Sequence, residues 1–253
     1  MTDDVPRAAP PPALTPYLLL GFVALVLALT ARAPASLLQR VLPASGSGIQ
    51  VSAWGGTVWN GQAAVNQSGE AGLWRWNLIP SALLLGRIAF QVDASGMADL
   101  HGRLDRGIGG WAAHDLHGTV PARLLQPLLP PGWSLPGDVR LAGIDLARRG
   151  LSTGAWSAAA GQFRWAGGAM QLSLGSQVQS ATLPPLIATL HRDGDRLQVS
   201  LVEEAGGASL ADVAVAPDGS VETKLRERLL RYSGRTSGAN PDSVVVTSVQ
   251  RPH

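Results

Sequence analysis

The chain has 253 residues, of which 45% are hydrophobic and 15% are charged, and its formal net charge is +2. This length supports a sizeable core in one domain or in two small ones. The chain contains no cysteine, which excludes thiol chemistry, disulfides and Cys-ligated zinc. It also has no run of arginines, which argues against nucleic acid as a partner. The 30 glycines and 18 prolines favour short strands joined by turns over long helices.

The first apolar segment predicts a membrane anchor. No charged residue lies between Arg7 and Arg32, and residues 16–34 just reach the roughly 20 residues that a helix needs to cross a bilayer. A cleaved signal peptide is the alternative, because the small residues around Ala33 have the spacing of a cleavage site. The acidic, proline-rich residues 1–15 argue against cleavage. We therefore expect a retained anchor, a cytoplasmic tail before it, and a C-terminal domain outside the cytosol.

After a linker over residues 35–48, hydrophobicity alternates with a period of two. Stretches such as GIQVSAW, LWRWNLI, RIAFQVD and LQVSLVE alternate apolar with polar or small residues until Gly, Pro or Asp intervenes. This pattern is typical of half-buried antiparallel strands, and the frequent turn signals indicate a meander. Residues 49–232 are therefore predicted to form a mainly β domain with a few short helices. The sheet is expected to be curled, as a half-pipe or a sandwich.

Three stretches of the β-domain are predicted to be helical. PSALLLG begins at Pro80 and PARLLQPLLP begins at Pro121, and both are closed by Gly or Pro. SVETKLRERLLRY, residues 220–232, has apolar residues four and three apart near its end, as on one side of a helix. Residues 233–253 are predicted to be a flexible tail, in which SVVVTSVQ either adds one more strand or frays.

The stretch WGGTVWNGQAAV, which begins at Trp54, is predicted to form a corner. A strand ends at Trp54, and Gly55–Gly56 let the chain turn without a Cβ clash. Thr57–Trp59 begin the next strand, and Asn60–Gly61 is the commonest pair in two-residue tight turns. The tryptophan side chains then cover the open end of the sheet.

Two stretches of the domain are loosely similar to each other. GGTVWNGQAAVNQSGEAGLWRW and TGAWSAAAGQFRWAGGAMQL both contain Gly, then Trp, a glycine-containing link and an aromatic–Arg–Trp strand. This similarity predicts a duplicated β-meander, with one copy near residues 49–120 and the other near residues 137–216.

One catalytic motif occurs in the sequence. GLSTG matches G-x-S-x-G with Ser152 as the nucleophile, and His191 is the nearest downstream base. The motif requires a strand, a sharp turn and then a helix, whereas the residues after Ser152 have the pattern of a turn and a strand. A hydrolase that uses Ser152 is therefore the weakest functional hypothesis.

The histidines form one sequence cluster, near two aspartates: His101, His114, His117, Asp105 and Asp115. His114 and His117 are three residues apart, a spacing that places them on opposite faces of a strand. We predict exposed histidines and no metal site.

The tryptophans have two interpretations. Exposed aromatic rows bind sugars or bases by stacking. However, Trp74 and Trp76, like Phe163 and Trp165, are spaced for one face of a sheet. A buried aromatic face is therefore the preferred interpretation.

A series of short motifs runs in a fixed order along the chain. A G-T-V-W-x-G step is followed by W-x-L-x-P with a later Leu and Gly, and then by the strand LPGDVRLAGIDL. In order and spacing, to about residue 231, these motifs resemble the protein N family of the bacterial type II secretion system. The matching positions are Gly56, Thr57, Val58, Trp59, Gly61, Trp76, Leu78, Pro80, Leu83 and Gly86.

This resemblance implies a single-pass protein of the inner membrane, anchored by residues 16–34, with its β-domain in the periplasm. It further implies a structural role for the motif residues, other secretion subunits as partners, no cofactor and no enzymatic activity. The family is also distantly similar to the AsmA-like group, which suggests a lipid-binding or lipid-transfer module as the alternative. A docking module should have a filled core, whereas a lipid carrier should expose a long apolar trough.

Overall fold

The computed structural model describes residues 32–37, 49–67, 70–128, 134–150, 154–174, 177–232, 234 and 238–250. The strands of this part are β1 (Ile49–Gly56), β2 (Asn60–Gln67), β3 (Glu70–Leu78), β4 (Arg87–Ser95), β5 (Asp99–Gly107), β6 (Gly110–Pro121), β7 (Asp138–Arg149), β8 (Trp156–Trp165), β9 (Gly168–Leu174), β10 (Gln177–Leu183), β11 (Leu186–Asp193), β12 (Arg196–Glu203), β13 (Ser209–Val215), β14 (Val221–Arg226) and β15 (Val244–Gln250). The helices are α1 (Pro80–Leu83), α2 (Glu227–Tyr232) and two 3-10 helices, Ala35–Leu37 and Ala122–Leu128.

Thirteen of these strands form one antiparallel sheet. Neighbouring strands follow chain order from β1 to β8 and then from β11 to β15. The β9–β10 hairpin leaves the sheet, so that β8 pairs directly with β11. β1 and β15 are the edges, and neither pairs with a second strand within the described residues. A sheet of this width is expected to curl, because strand twist accumulates across it.

The alternating pattern gives the sheet one apolar and one polar face. Residues that pair across antiparallel strands lie on the same face. The rows that cross β2 to β5 show the contrast: Ala63, Trp74, Ala94 and Leu100 on one face, and Gln62, Arg75, Asp93 and His101 on the other. The aromatic residues Trp74, Trp76, Phe163 and Trp165 share the apolar face, as the sequence spacing predicts.

Two clusters of buried side chains lie on the apolar face, in the C-terminal half of the described sheet. The first joins the β9–β10 hairpin and α2 to the sheet, through Met170, Leu183, Trp165, Leu210 and Leu229 among others. The second is centred on Ile144, Trp156, Leu190 and Leu197. The hairpin and α2 thus form a partial second layer over the later strands.

The predicted fold class is confirmed for the β-domain, which is mainly β, antiparallel and poor in helix. The short helices expected at Pro80 and Pro121 are present. Of the predicted arrangements, the structure has a single open sheet with a small cover on part of one face, and not a sandwich of two comparable sheets.

The helix predicted over residues 220–232 is wrong in its first half. Val221–Arg226 form β14, and only Glu227–Tyr232 are helical. Val221 and Leu225 pair with residues of β13 on the apolar face, so the period-two pattern within VETKLR has a sheet on which to bury its apolar side chains. The helix begins only at Glu227, after the strand has ended.

The C-terminal segment, predicted as a flexible tail over residues 233–253, contributes the strand β15. Of the two alternatives for SVVVTSVQ, the additional strand is therefore confirmed, and the sheet extends to Gln250.

The similar stretches of the predicted repeat pair differently: β2 pairs with β3, whereas β9 pairs with β10 and not with β8. The repeat stays a prediction from sequence.

The predicted cytoplasmic tail and most of the predicted anchor, residues 16–34, lie outside the described residues, which begin at Arg32. Among the residues that are described, no helix is both long and apolar enough to cross a membrane.

Candidate functional site

The turn between β1 and β2 contains the strongest sequence motif. Thr57 N donates to Asn60 O at 2.8 Å, and Asn60 N donates to Thr57 Oγ1 at 3.0 Å. Gly56 has a φ of +79°, and a Cβ there would lie 2.5 Å from Asn60 O, so its predicted role in the turn is confirmed. The expectation that Thr57–Trp59 begin a strand is wrong, because these hydrogen bonds hold them in the turn. Asn60–Gly61 instead begin β2.

Gly61 is required by close packing and not by a turn. A Cβ at this position would lie 2.5 Å from Trp76 Cζ2 and 2.7 Å from Thr57 O. Trp76 Nε1 donates to Val58 O at 2.9 Å, and its ring packs edge-on against that of Trp54, with 6.1 Å between centroids. The absence of a side chain at Gly61 therefore lets β3 hold the turn through Trp76.

The N-terminal described segment, residues 32–37, lies against this turn. Val58 N donates to Ala33 O at 2.9 Å, and Pro34 forms an isolated antiparallel bridge with Thr57. Ala35 begins a 3-10 helix and is only 1% exposed. The last residues of the predicted anchor and the residues directly after it therefore meet the sheet at the motif.

The same end of the sheet carries an apolar tip. We call it the α1 end, defined by the turn at residues 57–59, by α1 with the turn after it, and by the turn between β5 and β6. Ala82 of α1 is buried, whereas Leu84 is 88% exposed, Leu85 73% and Ile108 100%. The motif residues Pro80 and Gly86 bound this segment: Pro80 opens α1, and Gly86 has a φ of +66° where the chain enters β4.

β15 is an open edge of the sheet. It pairs with β14 on one side, and its side chains Val244, Val246 and Val249 are 46%, 37% and 61% exposed. The strand contains no charged residue and no proline, which are the usual means of protecting an edge. β1, the opposite edge, is protected by a bulge between Ser52 and Gly55.

The apolar face of β3–β6 is incompletely covered. Trp74 is 44% exposed and Leu104 is 40% exposed. Trp76, Phe90 and Val92 on the same face are only partly buried. Both buried clusters are centred on later strands. The expectation of a buried aromatic face is therefore met at Trp165, which is 6% exposed, but not at Trp74.

The three histidines of the sequence cluster lie on one face of the sheet. His117 pairs with His101, and His114 pairs with Arg103, two residues along β5. The prediction that His114 and His117 lie on opposite faces is wrong, because a β-bulge at Asp115, with a φ of +46°, inserts one residue between them.

These histidines pair with carboxylates. His101 Nδ1 lies 2.7 Å from Asp93 Oδ1, and His101 Nε2 lies 3.1 Å from Asp99 Oδ1. The hydrogen bond to Asp93 is the main cause that raises the pKa of His101 above its ordinary value, and Asp99 adds to it. In the described part of the chain, no group of three or more His, Cys, Asp or Glu is placed to hold a metal ion.

Ser152 lies outside the described residues. The chain that follows it forms β8, Trp156–Trp165, where a nucleophile elbow requires a helix.

The sequence did not single out Ile108 or the exposed leucines after Ala82 as a surface. The only signals were the triple leucine of PSALLLG and the apolar residue within the turn GIGG, and neither shows that the two meet.

The comparisons with known proteins give one match. The family described as type II secretion system (T2SS), protein N matches residues 47–231. This range contains every motif residue on which the resemblance depends, and it ends before β15. No curated protein and no solved structure is significantly similar to the chain.

Proposed function

This chain belongs to the type II secretion system protein N family, and on that premise we propose that it is a non-enzymatic periplasmic subunit, anchored in the inner membrane. In this proposal it assists the export of folded proteins across the outer membrane by docking onto other secretion subunits. The predicted anchor at residues 16–34 supports the location. Membership of the protein N family supports the role in protein secretion.

The open edge at β15 is the observation that carries the docking mechanism. An unpaired strand presents a row of backbone donors and acceptors, and another chain that adds a strand there satisfies them. The exposed side chains Val244, Val246 and Val249 would be partly buried by such a partner. β15 lies beyond the matched residues 47–231, so we expect this contact to be a feature of this chain rather than of the whole family.

A photo-crosslinking residue at Val249 is expected to capture a second secretion subunit in living cells. The same residue at Ala158, which is exposed in the middle of β8, provides the matched control because that strand is paired on both sides. Mass spectrometry identifies the captured chain. A charge on the edge opposes strand addition, so Val249→Lys should abolish crosslinking from Val244, whereas Ala158→Lys should not.

The docking mechanism is contradicted by equal capture from Val249 and Ala158, or by capture from Val249 of proteins unrelated to secretion. Either result leaves family membership intact and removes β15 as the contact.

Lipid binding is the second candidate function, and the half-exposed apolar face of β3–β6 favours it. Side chains such as Trp74 and Leu104 offer apolar surface that acyl chains could cover. This candidate differs from docking in its consequence, because loss of the protein would then change envelope lipids and not export.

A further inference from the structure

The α1 end combines three features: a large exposed apolar tip, exposed arginines and the entry of the chain from the predicted anchor. We propose that this end of the sheet rests on the surface of the inner membrane, with Leu84, Leu85 and Ile108 inserted among the lipids. The proposal rests on the anchor of the proposed function, and it does not depend on docking at β15.

The tip is formed by two segments that are distant in sequence and adjacent in space. Arg87 pairs with Gly107 at the joined ends of β4 and β5, and a Cβ on Gly107 would lie 3.9 Å from Gly86 O. The turn after α1 and the turn that contains Ile108 therefore stand side by side.

The composition of the tip is unusual for a surface in water. Leu84, Leu85 and Ile108 are 88%, 73% and 100% exposed, and the segment from Ile79 to Gly86 carries no charge. Ala82 of α1 is buried, whereas the three leucines that follow it are exposed. Contiguous exposed apolar side chains of this kind mark an interaction surface.

Positive charges flank the tip. Arg87, Arg106 and Arg149 are exposed at this end of β4, β5 and β7, and the ion pairs that arginines form within the described part of the chain involve other arginines. An open groove of about 520 Å³ lies beside the tip, and both Arg87 and Arg149 line it. An apolar tip flanked by arginines matches a bilayer surface, in which anionic headgroups lie above the acyl chains.

The path of the chain selects a membrane as the occupant. Residues 33 and 34 bond to the turn at residues 57–59, and they are the last residues of the predicted anchor at 16–34. The C-terminal end of the predicted span is thus bonded to the α1 end. A protein partner at the tip would have to fit between this end and the bilayer.

Depth-dependent quenching in proteoliposomes tests this orientation, and the absence of cysteine in the chain permits clean single-site labelling. The full chain is reconstituted into vesicles of phosphatidylethanolamine and phosphatidylglycerol with a bimane label on Gly109→Cys, where a side chain meets no atom within 4 Å. The matched control is Ala205→Cys, exposed in the turn between β12 and β13 at the opposite end of the sheet. Lipids that carry a doxyl group near the headgroup should quench the label at Gly109 and not the label at Ala205.

Replacing Leu84, Leu85 and Ile108 together with serine should abolish the quenching at Gly109→Cys without lowering the thermal midpoint, because these side chains contribute little to the core. Replacing Arg87 and Arg149 with glutamine should weaken the quenching in anionic vesicles only. If the protein floats with the vesicles but the labels at Gly109 and Ala205 are quenched equally, the proposal that the α1 end rests on the membrane is wrong. The predicted anchor is not affected by that result. Failure of the chain to float with the vesicles overturns both.

Discussion

Gly61→Ala is expected to destabilise the protein by about 1–3 kcal/mol or more, the range for overpacking a tightly packed site. The added Cβ would lie 2.5 Å from Trp76 Cζ2, 2.7 Å from Thr57 O and 2.9 Å from Gly55 O. Two of these three atoms are backbone oxygens, which cannot rotate away. Either the turn at residues 57–59 moves, or Trp76 loses its hydrogen bond to Val58.

Urea unfolding of the purified full chain, followed by tryptophan fluorescence, measures this loss. Gly109→Ala is the matched control, since its Cβ meets nothing within 4 Å and its φ is not in the left-handed region. We expect a lower midpoint for Gly61→Ala and an unchanged midpoint for Gly109→Ala. Identical midpoints would mean that the motif glycine is not held by packing against Trp76.

Leu210→Ala is expected to lower the free energy of unfolding by about 2–5 kcal/mol, the range for leucines replaced by alanine in buried cores. Leu210 on β13 is 0% exposed and belongs to the cluster that holds the β9–β10 hairpin and α2 on the sheet. The cavity would open between this cover and the sheet. The cover is small, so little of it can collapse into the space.

The comparison with Leu84→Ala isolates the effect of burial, because Leu84 is 88% exposed. In the purified protein in detergent, we expect Leu84→Ala to change the free energy of unfolding by no more than about 0.5 kcal/mol. Thermal unfolding monitored by circular dichroism measures both variants. Similar midpoints for the two would show that the β9–β10 hairpin and α2 do not form a core with the sheet.

The strands were largely predictable from sequence because one face of the sheet is mainly apolar. A period of two in stretches such as LWRWNLI follows directly from that burial. The same logic explains the error at β14. Val221 and Leu225 fit a strand as well as a helix, and the choice depends on the partner strand β13, which the local sequence does not show.

Single-residue irregularities were less predictable. The bulge at Asp115 moves His114 to the face of His117. Aspartate is enriched among non-glycine residues with positive φ, but the sequence does not show which aspartate adopts that conformation. The turn between β1 and β2 was also misplaced: the sequence predicted a tight turn at Asn60–Gly61, whereas the structure has the turn at residues 57–59. Asn-Gly favours a tight turn locally, whereas Thr57 Oγ1 closes the turn earlier by accepting from Asn60 N.

The candidate surfaces depend on strand register, which sequence patterns do not supply. Leu85 and Ile108 are more than 20 residues apart in the chain, and they meet because Arg87 pairs with Gly107. The open edge at β15 could not be predicted either, because it depends on which strand is last in the sheet. The stretch SVVVTSVQ alone fitted a frayed tail as well as a strand.

A deletion strain assayed for exported proteins tests the proposed role in secretion. We expect that exoproteins accumulate in the periplasm, that the full chain restores their release into the medium, and that a chain with Gly61→Ala restores it poorly. Normal export together with altered envelope lipids or detergent sensitivity would contradict the secretion role and favour the lipid-binding alternative. Normal export with an unchanged envelope would contradict both.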